Sequence, residues 1–181
     1  MRRYILTGTP GAGKTSILLE LERRGHPVAH EAATDVIARA TRAGVDRHWE
    51  QPSFIDQILA VQRERQAATT TPGSGVQFYD RSPICTPALA EYLGHPAPAT
   101  LVAEIERLGS ECFYEREAFF VHDLGFVERT DARQITYEES VEFEDVHVAT
   151  YESRGYRLIN VPRGTVANRA DVIESAVRSW T

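Results

Sequence analysis

The chain has 181 residues, 42% hydrophobic and 25% charged, which is the balance of a globular protein long enough for one well-buried core. Its 20 basic residues against 26 acidic ones leave a formal charge of −6, the opposite of what a nucleic-acid backbone attracts, so no nucleic-acid partner is expected. No apolar run approaches the roughly 20 residues of a membrane span, and Tyr4-Ile5-Leu6 meets a glycine-rich turn too soon for a secretory signal; the expected location is the cytoplasm.

Strand and helix signals alternate along the whole chain. Tyr4 to Thr7 is a short apolar run that predicts a buried strand, and a helix is expected from about Lys14 to Arg24, stopped by Gly25. A short strand at Pro27 to His30 precedes helical spacing over Glu31 to Ala43 and Ser53 to Thr69. After a turn-rich segment, Val76 to Asp80 predicts a third strand ending in a carboxylate. Two helices, Pro83 to Leu93 and Ala99 to Leu108, lead to a fourth strand at Ala118 to Val121. The polar stretch that follows has little apolar periodicity and opens into an acidic helix from about Tyr137 to Arg154. Tyr156 to Val161 is the fifth strand, and Thr165 to Trp180 the closing helix. Strands that alternate with helices predict a parallel sheet covered on both faces, a three-layer α/β fold in a single domain over residues 1–181. Cys85 and Cys112 have neither a close pairing nor histidines at zinc spacing, and they read as reduced structural thiols.

Gly8-Thr9-Pro10-Gly11-Ala12-Gly13-Lys14-Thr15 has the spacing of a phosphate-binding loop, Gly, four residues, Gly, Lys, then Ser or Thr. Its setting between a strand and a helix gives the spacing a mechanism. Glycines let backbone N–H groups approach phosphates, and the helix start at Lys14, Thr15 and Ser16 adds its positive dipole end. Lys14 is then expected to reach the terminal phosphates and the Thr15 hydroxyl to ligate Mg²⁺. Every other basic residue in the chain is arginine; keeping a lysine only here suggests that a compact ammonium is needed.

Asp80, at the carboxyl end of the third strand, stands where ligands gather in open α/β sheets. It can order the metal or take the proton of an attacking hydroxyl, with Arg81 beside it to hold a substrate anion; its spacing also permits capping of the helix near Pro83. Arg129 and Arg133, four apart in the polar segment 123–136, either clamp phosphate oxygens as a closing lid or form surface ion pairs with Glu128 and Asp131. Glu31, Asp35 and Arg39 share a helical face in the region 31–70, which is expected to bind the acceptor, though Asp35 and Arg39 also suit an ordinary ion pair. Gln62 and Arg65 have the same two readings. Asn168-Arg169-Ala170-Asp171 is only superficially like a guanine-selecting motif, since it lacks the lysine and lies inside a predicted helix, and it reads as helix surface.

The loop at Gly8 to Thr15, His30-Glu31-Ala32-Ala33, Tyr79-Asp80-Arg81-Ser82 and Tyr151-Glu152-Ser153-Arg154-Gly155-Tyr156 together resemble the small AAA-type P-loop ATPases. That group is related to the ribosylnicotinamide kinase domain of bacterial NAD regulators and to a eukaryotic phosphoinositide- and GTP-binding trafficking protein. The resemblance implies a P-loop kinase-like sheet of order 2-3-1-4-5, which would set Asp80 beside Lys14 and Thr15. It also implies that the turn containing Arg163 borders the nucleotide base. The function expected is an ATP- and Mg²⁺-dependent kinase that phosphorylates a hydroxyl of a small polar, nucleoside-like acceptor. Its rival is a nucleotide-binding switch that hydrolyses slowly and addresses a macromolecular partner.

Overall fold

Strand β1 (Arg2–Thr7) sets the plan of the molecule. Successive side chains of a strand point to opposite faces, and here both faces are apolar: Tyr4 and Leu6 enter one buried cluster and Ile5 the other. A strand wanted on both faces belongs at the centre of a parallel sheet. The structure, a computed structural model, describes residues 1–68, 75–122 and 137–180, and within them β1 is the middle strand of five. Strand β2 (Val28–Ala29), β3 (Val76–Asp80), β4 (Glu117–Val121) and β5 (Arg157–Val161) complete a sheet of order β2-β3-β1-β4-β5, parallel throughout.

Helix α1 (Lys14–Arg23) and α7 (Val166–Ser179) cover one face. Ile17, Leu18 and Leu21 of α1 and Ala170, Ile173 and Val177 of α7 pack with Tyr4, Leu6, Phe78, Phe119 and Val121. Trp180 closes this layer by stacking on Phe119 at 5.9 Å. Helices α5 (Ala99–Ser110) and α6 (Tyr137–Glu152) cover the other face, where Leu108 and Tyr151 meet Ile5, Tyr79, Ala118 and Tyr156. A third cluster joins α2 (Ala32–Arg42) and α3 (Phe54–Ala68) to α4 (Thr86–Tyr92) and α5 through Val36, Phe54, Ile58, Ala90 and Leu101. Each fully buried side chain of this size contributes about 1.5–3 kcal/mol, so the sheet ends that bear the site rest on a stiff support.

The expected three layers and strand order are present. A short 3₁₀ turn at His48–Glu50 lies between α2 and α3, an element too short for the sequence pattern to announce. The helix expected from Pro83 begins only at Thr86, with Cys85 as its N-cap residue. Cys85 is buried and Cys112 exposed, and both are free thiols. No helix among the described residues is long and apolar enough to cross a membrane. Segment 123–136, with Arg129 and Arg133, lies outside the described residues.

Candidate nucleotide-binding site

The register of the central strands brings the site together. Leu6 pairs with Asp80 and Thr7 with Phe120, so β1 ends between the ends of β3 and β4 just as the glycine-rich loop begins. Gly8 has φ 127°, and a Cβ on it would stand 2.3 Å from the Val121 carbonyl oxygen. Only glycine fits, because the loop leaves the sheet pressed against β4. Gly13 has φ 84° and is the N-cap of α1, with no side-chain capping bond and no acidic residue in the first turn. No side-chain cap takes up the N–H groups of the helix start, which suits an anion.

Lys14 is buried and lies along the loop, its Nζ donating to the carbonyls of Gly8 at 3.2 Å and Thr9 at 2.8 Å. The Ala12 N–H also donates to the Thr9 carbonyl, at 3.3 Å. The Thr15 hydroxyl donates to Asp80 Oδ2 at 3.1 Å. Asp80 is buried, and its second oxygen, Oδ1, has no hydrogen-bond partner among the described residues. Burial first, and then the charge of Glu31, push the Asp80 carboxyl above its ordinary range, outweighing Lys14, Arg81 and the Thr15 bond. An orphaned carboxylate oxygen beside a threonine hydroxyl is the donor set a hard divalent cation takes, and its charge would relieve the burial of the ionised Asp80. These residues therefore fit Mg²⁺, with Thr15 and Asp80 as the protein groups.

Asp80 does not cap α4, because that helix starts farther on and has no side-chain cap. The Arg81 N–H instead donates to the Leu6 carbonyl at 2.9 Å, and the residue takes a left-handed conformation with φ 67°. This costs a non-glycine residue on the order of 1 kcal/mol. It turns the guanidinium toward the loop. Nε donates to Glu31 Oε1 at 2.8 Å, Nη2 to the Gly8 carbonyl at 3.2 Å, and Nη1 lies 2.7 Å from His147 Nε2 on α6. An arginine only donates, so His147 accepts through Nε2. Burial opposes both charges of the Arg81–Glu31 pair, but each is held by the other. Glu31 lies below the usual carboxylate range, helped by Lys14 and a Thr34 hydrogen bond, and Arg81 lies above its ordinary value.

The helical face of Glu31, Asp35 and Arg39 is joined differently from the simplest expectation. Asp35 is engaged by Arg65 of α3 and not by Arg39, and Arg65 also donates to the His30 carbonyl at 2.5 Å. This clamps α2 to α3 beside Glu31. Gln62 and Thr86 lie in hydrogen-bond contact at 3.3 Å. Arg163 is exposed in the turn after β5. Arg169, expected on the helix surface, is buried, as is Ala170; its guanidinium donates to the carbonyls of Ala12 at 2.8 Å and His122 at 3.0 Å. His147 and Arg169 are the two site residues the sequence reading missed. His147 stands in no motif, and Arg169 only in the guanine-like stretch that reads as helix surface.

A five-stranded parallel sheet of this order, a glycine-rich loop opening α1, and a Thr–Asp pair at adjacent strand ends define a P-loop nucleotide-binding protein. A family model described as an AAA domain matches residues 3–169, and the chain belongs to that family. No curated protein matches the chain. Among solved structures, the NadR protein in complex with NR aligns at TM-score 0.70 and 15% identity, over 99% of this chain and 50% of that one. NadR with NAD and AMP-PNP aligns at TM-score 0.67 and 15% identity, over 97% and 48%. A deoxyadenosine kinase from M. mycoides, with products dCMP and dCDP, aligns at TM-score 0.65 and 13% identity, over 98% and 99%. At these identities the likeness is one of fold, and the chain spans about half the length of the NadR protein.

Proposed function

We propose that the protein is an ATP- and Mg²⁺-dependent kinase that transfers the γ-phosphoryl group of ATP to a hydroxyl of a small polar, nucleoside-like metabolite. The observation that supports this best is the adjacency of two ionic arrangements. Thr15 and Asp80 stand on the donor side, and Arg81 with Glu31 stands beside them, both groups abutting the same loop. A protein that only binds a nucleotide has no need of the second. The fold neighbours point the same way: one is a deoxyadenosine kinase bound to its products, and one holds AMP-PNP.

Lys14 and the backbone N–H groups of the loop between Gly8 and Ser16, Pro10 having none, cradle the phosphates, where they act on charge as it develops. Thr15 and Asp80 would hold Mg²⁺, which would supply positive charge against the phosphates. Glu31, kept ionised by Arg81, accepts the hydrogen bond of the acceptor hydroxyl and aims its oxygen at the phosphorus. Arg81 holds Glu31 and a neighbouring substrate anion. Phosphoryl transfer asks mainly for this positioning. Arg129 and Arg133 close over the phosphates and exclude water, and Arg163 borders the base.

The experiment is a phosphorylation screen of nucleosides, vitamins, sugars and aminoglycoside-like compounds, read against the ATPase rate without acceptor. A kinase that closes on both substrates shows slow hydrolysis alone and phosphate recovered on one acceptor class. If no phosphorylated product forms, and a macromolecule binds the ATP state and the ADP state with different affinity, the protein is a switch. Replacing Arg129 and Arg133 together by Ala should lower transfer and raise wasteful hydrolysis; unchanged kinetics would remove both from the site.

A further inference from the structure

A loop that turns its N–H groups inward on an anion turns its carbonyls outward, into the protein. Ala12, in the middle of this loop, is fully buried, so its carbonyl has no access to water. Leaving such an acceptor unmet costs about 1–3 kcal/mol. Arg169, from the first turn of α7, supplies the missing donor at 2.8 Å, and the other arm of the same planar group reaches the His122 carbonyl at 3.0 Å, one residue past β4. Gly13 takes part as well, since a Cβ there would stand 3.2 Å from Arg169 Nη1. The guanidinium therefore lies against the backbone that precedes Lys14.

Its charge is unusual. The residue is 3% exposed, yet no carboxylate among the described residues lies within ion-pair distance, and both groups it contacts are neutral carbonyls. Its Nε is buried without an acceptor among the described residues. Burial lowers its pKa. Buried charges are ordinarily paired, and an anion in the loop would be the counter-charge.

We infer that Arg169 is a positioning residue for the phosphate-binding loop: it fixes the outward Ala12 carbonyl to the end of β4, so that the loop amides are already aimed, and it adds positive potential behind the bound phosphates. This inference rests on the nucleotide-binding reading above. A planar fork is required, because two carbonyls from separate elements are met at once, and a lysine would keep the charge while losing one of the two.

The test is calorimetric titration of Arg169→Gln and Arg169→Lys with Mg²⁺ and AMP-PNP, with the thermal midpoint recorded beside it. R169Q should bind about 10- to 100-fold more weakly, the equivalent of an unmet buried acceptor. R169K should fall between R169Q and the wild type. A purely architectural arginine would lower the midpoint or the binding stoichiometry and leave the Kd of the folded molecules unchanged, and that result in either variant overturns the inference. Should R169Q fail to fold, R169K separates the cases by the same comparison of Kd with stoichiometry. Wild-type protein that does not bind AMP-PNP would overturn the nucleotide-binding reading itself, and this inference with it.

Discussion

The Thr15 hydroxyl donates to Asp80 Oδ2 at 3.1 Å, joining residues 65 positions apart across the ends of two neighbouring strands. The pair is set before any ligand arrives, because the register of β1 on β3 fixes Asp80 and the loop fixes Thr15.

Asp80 links this geometry to pH. Its carboxyl is raised above the ordinary value by burial and by Glu31, so the folded protein keeps a proton that the unfolded chain has released. Stability from this group is present below the ordinary carboxylate range, near pH 4, and is lost as pH rises through the raised value. Urea unfolding of the ligand-free protein should therefore show Asp80→Asn gaining on the wild type as pH increases. MgATP should reverse the order by stabilising the wild type more, and EDTA should abolish that reversal. The same substitution should lower kcat by at least about 100-fold. A wild-type kcat in D80N would remove Asp80 from the chemistry.

Lys14→Ala should reduce turnover by about 100- to 1,000-fold, the usual loss when one preorganised charge-stabilising donor is removed. The fold should persist, since Gly8 and Gly13 set the loop path. Circular dichroism beside kcat measures both. Lys14→Arg should recover little, because a planar fork cannot lie along the loop against the Gly8 and Thr9 carbonyls as the ammonium does.

Gly8→Ala tests the packing of the loop on β4. The added methyl would meet the Val121 carbonyl in a backbone conformation alien to alanine, and the loss of stability should be at least about 2 kcal/mol. Gly109→Ala on α5 is the control, with nothing within 4 Å of the added carbon. It should stabilise the protein by about 0.5–1 kcal/mol. Chemical denaturation of the two variants gives the comparison, and equal effects would refute the close approach.

Arg81→Lys retains the charge but not the three directions in which the guanidinium is bonded. Glu31 would lose the Nε hydrogen bond that holds it, so the KM for the acceptor should rise and kcat fall, together by about 100-fold in kcat/KM. The Kd for ATP should change little. A variant that loses ATP affinity in the same proportion would assign Arg81 to the donor side.

The phosphate loop and Asp80 were legible in the sequence because their information is local: a glycine pattern, and a carboxylate at the end of an apolar strand. Whether Asp80 capped a helix was not local, and the later start of α4, with no side-chain cap, decided against it. Strand β2 was legible only as a possibility of extended structure, since Val28–Ala29 is too short to show alternation. The clamp between Asp35 and Arg65 was hidden by the nearer partner Arg39, which suits the same helical spacing. Arg169 was least legible of all. Helical periodicity assigns an arginine to solvent, and only the fold reveals the two backbone carbonyls, from elements far away in sequence, that make its burial tolerable.

The single lysine also gives the protein one side-chain amine, and that amine lies inside the loop. Acylating reagents that ignore guanidinium groups therefore find no competing surface lysine, and an ATP analogue bearing such a group would be retained at one internal address. Protection of that amine against a small acylating probe, followed by intact-mass measurement, becomes a direct gauge of how full the loop is. The same scarcity withholds the chain from lysine-directed crosslinkers and from tryptic cleavage after lysine elsewhere, so whatever modifies Lys14 reports on the loop.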